Sequence, residues 1–274
     1  EIFGFFYTNY YFMDNLDIHP SYYGIYLIVA LIFLLYKLPF KNRFATSASL
    51  LIISMCIIFL NSRIVIALYV IVIAFFLWRY FYGLFEKKLK AYIYSCLFLL
   101  ISLGIFFFIF QNTYNLQRLT SEAVWELTYG VDSNYNEKMK GDSRLARWDA
   151  ALSTIRDKPL FGHGVDKEQE VLIEKYREMG MDNSVQRRYN AHNQFLGFAV
   201  EGGIVSMLAL IAFFFFNFFY SLKAKDVIGT IFLLSMLFIC LVENYLERNA
   251  GITFVAFFAT LFLFSNYLAE KTKT

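Results

Sequence analysis

The chain has 274 residues, of which 58% are hydrophobic and only 17% charged, with 33 Phe and 20 Tyr against three Pro. Soluble domains carry roughly 25% charged residues, and the mean hydropathy of +0.49 is positive, so an ordinary water-soluble core is excluded. The formal net charge of +3 says less than its distribution along the chain.

Seven apolar segments follow one another: Ser21–Tyr36, Ala45–Leu60, Ile64–Gly83, Ala91–Phe110, Gln194–Phe219, Val227–Val242 and Gly251–Leu268. A spanning helix needs about 20 apolar residues, and the shorter segments extend into their flanks. Only helices or closed barrels satisfy their own backbone in lipid. The expectation is an all-α polytopic membrane protein of about seven transmembrane helices, with one long, partly helical external loop. The opening stretch EIFGFFYTNY has neither an initiator Met nor a charged signal-peptide start, which points to a piece of a longer protein with further spans before it.

Orientation is read from the basic residues. Lys37, Lys41, Arg43, Arg79, Lys87, Lys88, Lys90, Lys223, Lys225, Lys271 and Lys273 all fall on one side if the helices alternate, and positive residues mark the cytoplasm. The segment Gln111–Ala191 then lies outside. Its 13 acids and 12 bases do not count against this, because long loops are largely exempt from the rule. The organisation is a four-span membrane region over 1–110, an external cap over 111–191 and a three-span membrane region over 192–274. Cys56, Cys96 and Cys240 all sit inside spans, so no disulfide framework or zinc spacing exists.

The external segment has helical pattern. Ser143–Lys158 places Leu145, Trp148, Leu152 and Ile155 on one apolar face. Asp142 or Ser143 caps its start and Pro159 marks its end. Phe161-Gly-His-Gly164 reads as a turn, because glycine permits positive φ. Asp166–Met179 reads as a second, charged helix.

Ionisable residues at membrane boundaries are costly and usually functional. Arg63 stands in a very short external turn and reads either as a snorkelling arginine or as a site residue. Arg118 and Arg144 each look like solvated charges taken singly, and Arg147, one helical turn beyond Arg144, either shares its face or pairs with solvent. His192 opens the fifth span in NAHNQFLGFAVEGG. It reads as an interface residue or as a base that changes protonation near neutral pH. Glu243 lies at the same membrane level and can orient that imidazole, or pair with Arg248 or Arg63. Glu201 reads as a buried interhelical hydrogen bond. It would share a face with His192 only if Gly202-Gly203 distorts the helix. His19 and His163 read as structural or solvated. Arginine forks bind phosphate oxygens bidentately, and several converging arginines suit a diphosphate. Nothing resembles a Walker loop, an Asp-rich metal site or a nucleotide fold, so the donor is expected to be lipid-borne, with no metal, no cofactor and no nucleic-acid partner.

At these residues the sequence resembles the O-antigen ligase and polymerase superfamily of bacterial membrane glycosyltransferases. The matching stretches, in chain order, are NSRIVIALYV, LQRLTS, DSRLARWDAALSTIRDKPLFGHGV and HNQFLGFAVEGGIVS. The last places a glycine eleven residues after the histidine. The resemblance covers nearly the whole chain and corresponds to the later two-thirds of such proteins. It implies metal-independent transfer of a glycan from an undecaprenyl-pyrophosphate carrier, in the bacterial inner membrane, with the long loop in the periplasm. It puts Arg63, Arg118 and Arg144 at diphosphate-binding places, His192 at the base that activates the acceptor hydroxyl, and Glu243 beside it. Ser206 stands where ligases commonly show Gly, Thr or Tyr.

The acceptor is a lipid A core for a ligase, another lipid-linked glycan for a polymerase, and a protein for related oligosaccharyltransferases; the ligase reading leads. A membrane transporter is the reading from a different class. It would show inverted repeats and interrupted helices in both halves, and the sequence shows neither.

Overall fold

The computed structural model describes residues 18–37, 43–85, 88–110, 118–136 and 139–271. The opening stretch, Lys41, Lys87 and Lys273 lie outside the described residues. Helices occupy all seven apolar runs: α1 (Pro20–Lys37), α2 (Arg43–Leu60), α3 (Arg63–Leu84) and α4 (Lys88–Phe110), then α9 (Gln194–Ala224), α10 (Val227–Cys240) and α11 (Asn249–Lys271). Stretches within α3, α9 and α11 are long and apolar enough to cross a membrane, and those within α1, α2 and α10 are shorter. Between the two sets lie a π-helical turn (Arg118–Glu122), α5 (Ala123–Glu126), α6 (Arg144–Asp157), α7 (Glu168–Glu178) and α8 (Asp182–Arg187). An antiparallel hairpin of β1 (Ser133–Asn136) and β2 (Met139–Gly141) completes the described elements. The chain forms two compact units, Glu1–Thr120 and Ser121–Thr274.

In the first unit α1 packs on α2 and α3, and α3 on α4. Its core is aliphatic: Ile25, Ile28, Leu31 and Ile32 of α1, Ile57 and Leu60 of α2, and Val65, Leu68 and Val72 of α3. Gly24 lets α1 approach α3 so closely that a Cβ there would overlap the Val65 side chain. The Ser21 and Ser62 hydroxyls meet at 3.2 Å.

In the second unit α9 packs on α10, α11 and α6, while α6 and α8 pack on α7. Phe232 of α10 is the hub of an aromatic cluster with Phe254, Phe258 and Phe262 of α11. The inserted segment has its own core of Ala146, Ala150, Ala151, Leu172, Tyr176 and Met181, closed by Ala191 and Val200. This corrects the expected apolar face of α6. Leu145 and Leu152 are exposed, and the buried face is Ala146, Arg147, Ala150, Ala151 and Thr154. Small side chains let α6 approach its neighbours closely, which the bulkier leucine stripe does not. Ser143, not Asp142, caps the helix, accepting from the Ala146 amide. Asp142 is buried instead and ties the bend at Asp132 to the first turn of α8, accepting from the Asp132 and Ser184 amides at 2.8 Å each.

The feature that positions everything else is a break in α9. Gly202 and Gly203 leave helical geometry, Gly203 at φ +67°. Buried backbone groups must find partners, and the freed ones do. The Val200 and Glu201 carbonyls accept from the His163 and Gly164 amides at 2.9 and 2.8 Å, and the Ile204 amide donates to the Pro159 carbonyl at 2.8 Å. Ser206 Oγ donates to the Phe198 carbonyl across the break. Gly162, at φ +64°, and Gly203 lie against each other's backbones, where any Cβ would overlap Glu201 or Leu160. The FGHG turn is therefore the piece that completes a broken helix.

Candidate functional site

The break has a geometric consequence. An unbroken α9 would carry His192 about 50 Å from Lys225 at about 1.5 Å per residue, whereas α10 carries its last residues only about 21 Å back from Asp226. The chain direction must change at Gly202-Gly203 for His192 to meet the residues that follow α10. It does meet them: His192 Nδ1 lies 3.1 Å from Glu243 Oε2.

The segment Asn190–Gln194 is laced to Asn244–Glu247 by side-chain amides. Asn190 Nδ2 donates to Glu247 Oε2 at 2.8 Å, the Asn193 amide to Asn244 Oδ1 at 2.8 Å, and the Leu246 amide to Gln194 Oε1 at 2.5 Å. Asn193 also caps α9, accepting from the Phe195 and Leu196 amides at 3.0 and 3.2 Å. His192 itself takes a left-handed backbone, φ +49°, a conformation uncommon outside glycine. Asn190 Oδ1 supports it by accepting from the His192 amide at 3.1 Å. Strained residues held by such over-determined surroundings cluster at functional sites.

Glu243 is shared. Its Oε1 takes Arg144 Nη2 at 3.2 Å, and Arg144 Nη1 donates to the Val242 carbonyl at 2.7 Å. Glu126 on α5 accepts from the Arg144 amide at 2.9 Å and from Arg147 Nη2 at 3.0 Å. Arg147 stacks over the Tyr189 ring, 4.8 Å from its centroid, and Tyr189 meets the His192 ring edge-to-face at 5.4 Å. Two arginines, two carboxylates and one imidazole thus form a single balanced cluster.

Its electrostatics favour a neutral imidazole. Burial depresses the His192 pKa below its ordinary 6.5; Glu243 opposes this, while Arg147 and Arg144 add to it. A carboxylate at Nδ1 selects the tautomer that carries its proton there. Nε2 then keeps its lone pair, and the side chain is still 23% exposed. The arrangement is that of a base oriented by an acid.

Behind the cluster Glu168 is almost fully buried. It accepts from the Ala191 amide at 2.9 Å and from Asn244 Nδ2 at 2.7 Å. Burial, and then the neighbouring Glu247, push its carboxyl well above the usual carboxylate range.

Of the residues singled out from sequence, His192, Glu243 and Arg144 come together. Arg63 is the first residue of α3, following Ser62, and Arg118 stands first in the π turn; both belong to the first unit. Glu201 does not turn toward His192, because the break lies after it. Its Oε1 accepts from the Asp166 amide at 2.9 Å, and the backbone of Glu168, the first residue of α7, also bonds it. His163 is structural, its Nε2 lying 3.0 Å from the Thr154 carbonyl. His19 lies at the start of α1, where its Nδ1 accepts from the Ser21 amide at 3.3 Å. Sequence reasoning missed Glu126, Tyr189 and Glu168, and left Arg147 open between the Arg144 face and solvent. The one available signal was that Arg147 falls on the alanine face of α6.

A profile of the family described as O-antigen ligase matches residues 48–211 of the chain, a range that holds Arg63, Arg118, Arg144 and His192 but not Glu243. A protein of Haemophilus influenzae described as uncharacterized is 25% identical over 178 residues, covering 61% of this chain and 44% of that protein. The chain thus spans less than half the length of that curated relative.

Proposed function

From a chain that belongs to the O-antigen ligase family, we propose a membrane glycosyltransferase that moves a glycan from an undecaprenyl-pyrophosphate carrier to the hydroxyl of a lipid A core. The enzyme sits in the bacterial inner membrane with residues 111–191 in the periplasm. The observation that carries the reading is the His192–Glu243 pair at 3.1 Å, with Arg144 on the opposite carboxylate oxygen.

In this mechanism the acceptor oxygen attacks the anomeric carbon while His192 Nε2 takes its proton. The bond from that carbon to the diphosphate oxygen breaks, its electron pair leaves with the diphosphate, and the anomeric centre inverts. Glu243 holds the ring through Nδ1–H and supports the imidazolium as it forms. The family resemblance assigns Arg63 and Arg118 to the diphosphate, whose growing negative charge calls for the kind of stabilisation that dominates many active sites. Arg144 contributes to the same field. Two of its donors are occupied by Val242 and Glu243, and guanidinium has five, so it both fixes Glu243 and retains donors for a ligand.

The test is transfer by the full-length protein in liposomes, offered a lipid-linked repeat as donor and, separately, lipid A core or a second lipid-linked repeat as acceptor. Transfer to core supports the ligase reading; transfer only to the second repeat replaces it with a polymerase. General base catalysis contributes about 10²–10⁴-fold, so His192→Gln should lose that much rate while retaining donor binding. Near-normal transfer by His192→Gln would remove His192 from the mechanism. Arg63→Ala should weaken donor binding, with Arg63→Lys restoring only part of it, because lysine lacks the bidentate fork.

A further inference from the structure

The broken helix also marks a depth. Of the 31 residues of α9, ten (Gln194–Gly203) precede or form the break and 21 run on from Ile204 to Ala224. Twenty-one residues rise about 31 Å, close to the roughly 30 Å of bilayer hydrocarbon. Lys223 and Lys225 end the helix on one side, so Gly203 falls at the opposite hydrocarbon boundary. The Pro159–Gly164 turn is bonded to the helix at that point through Pro159, His163 and Gly164. Its apolar side chains do not join the core. Leu160 is 59% exposed, Phe161 77% and Val165 87%. Ile204, Val205 and Leu208 of α9 are exposed apolar residues directly beyond the break, and the Ile204 amide is bonded to the Pro159 carbonyl of the turn. An acid and a lysine flank the turn on each side, Asp157-Lys158 and Asp166-Lys167, all exposed, with Lys167 paired to Glu170. His163, by contrast, points inward to the Thr154 carbonyl.

We propose that Leu160, Phe161 and Val165 form a lipid-inserted anchor that dips into the acyl chains of the leaflet opposite Lys223 and Lys225. The anchor ties the inserted segment to the membrane surface at the helix break. Three exposed apolar side chains on a turn too small for a core are what an interfacial anchor requires, and the backbone bonds to α9 fix their depth. This reading is independent of the chemistry proposed for His192.

Nitroxide accessibility tests it on the full-length protein in phosphatidylethanolamine–phosphatidylglycerol vesicles. With Cys56, Cys96 and Cys240 replaced, single labels are placed at Phe161→Cys and Val165→Cys. Leu208→Cys serves as the lipid-facing reference and Gln186→Cys as the solvent-facing one; both native residues are exposed. The expected result is oxygen collision exceeding that of a water-soluble nickel chelate at 161 and 165, with ratios like that at 208 and several-fold above that at 186. Ratios matching 186 would overturn the anchor. So would shielding from both reagents, which would mean that protein, either this chain or a second copy, covers the turn. The two label sites keep the test readable if one substitution disturbs folding.

Discussion

The first unit is held by side chains whose identity is nearly interchangeable, the second by side chains whose identity is not. In α1, α2 and α3 the core is Ile, Leu and Val, and a hydroxyl contact such as Tyr69 to Ser54 at 2.9 Å joins neighbouring helices. In the second unit the chain must satisfy a broken helix, a left-handed histidine and an inserted segment, and it does so with Asn, Gln, Glu and Arg in reciprocal bonds. Aliphatic packing tolerates exchange of one apolar residue for another of similar volume, whereas a buried polar network is costly once one member is removed. Substitutions can therefore separate the part of the protein that holds a shape from the part that holds a site.

The largest stability effect should come from the break. Gly203→Ala places a Cβ against the Leu160 backbone at a positive φ. Backbone strain and overpacking each cost about 1–3 kcal/mol, so thermal unfolding in detergent should fall by several degrees and protease should enter the 159–167 turn. In the first unit Gly24→Ala meets the Val65 side chain rather than backbone. A side chain can rotate away, so the loss there should be smaller. Equal losses would erase the distinction between the two regions.

Next comes Asn244→Ala, which strips partners from the Asn193 amide and from Glu168. Leaving buried polar groups unsatisfied costs about 1–3 kcal/mol, and the His192 segment should loosen in hydrogen exchange. Ser143→Ala, which removes the α6 cap, should cost about 1 kcal/mol. The smallest effect belongs to Leu152→Ser on the exposed side of α6, expected within about 0.5 kcal/mol. A large loss there would return the leucine stripe to the core.

The helices were legible because an apolar run of spanning length has few alternatives in lipid. The FGHG turn and the Gly202-Gly203 pair were each visible as local signals. That they complete one another was not, because no periodicity connects positions 40 residues apart. His192 and Glu243 were paired from membrane level alone, an argument that works because the bilayer supplies a coordinate the sequence can be measured against. It works only for residues near spans, which is why Glu126, Tyr189 and Glu168 went unseen. They reach the site through the tertiary fold of the inserted segment. The hairpin of Ser133–Asn136 and Met139–Gly141 is too short and polar to leave a strand pattern.

Acid should also remove the part of the second unit's stability tied to His192, while the raised carboxyl of Glu168 acts in the opposite sense. His192 binds its proton less readily in the fold than in the unfolded chain, whose ordinary pKa is 6.5. Between the two values the unfolded chain holds more protons, so stability rises with pH. The contribution is fully present above about 6.5 and is lost as pH falls toward the lowered value. Unfolding followed against pH in wild type and in His192→Gln checks this, since the variant should lose that slope.

The most direct measurement of the central claim, a neutral His192 oriented by Glu243, is the pH dependence of kcat/KM for glycan transfer in wild type and in Glu243→Gln. The account predicts an acid limb below 6.5 in wild type. In Glu243→Gln that limb should move to lower pH with a reduced plateau, because the carboxylate favouring the imidazolium is gone while Arg144 and Arg147 still oppose it. An acid limb that stays in place in Glu243→Gln, or that persists unchanged in His192→Gln, would contradict the account.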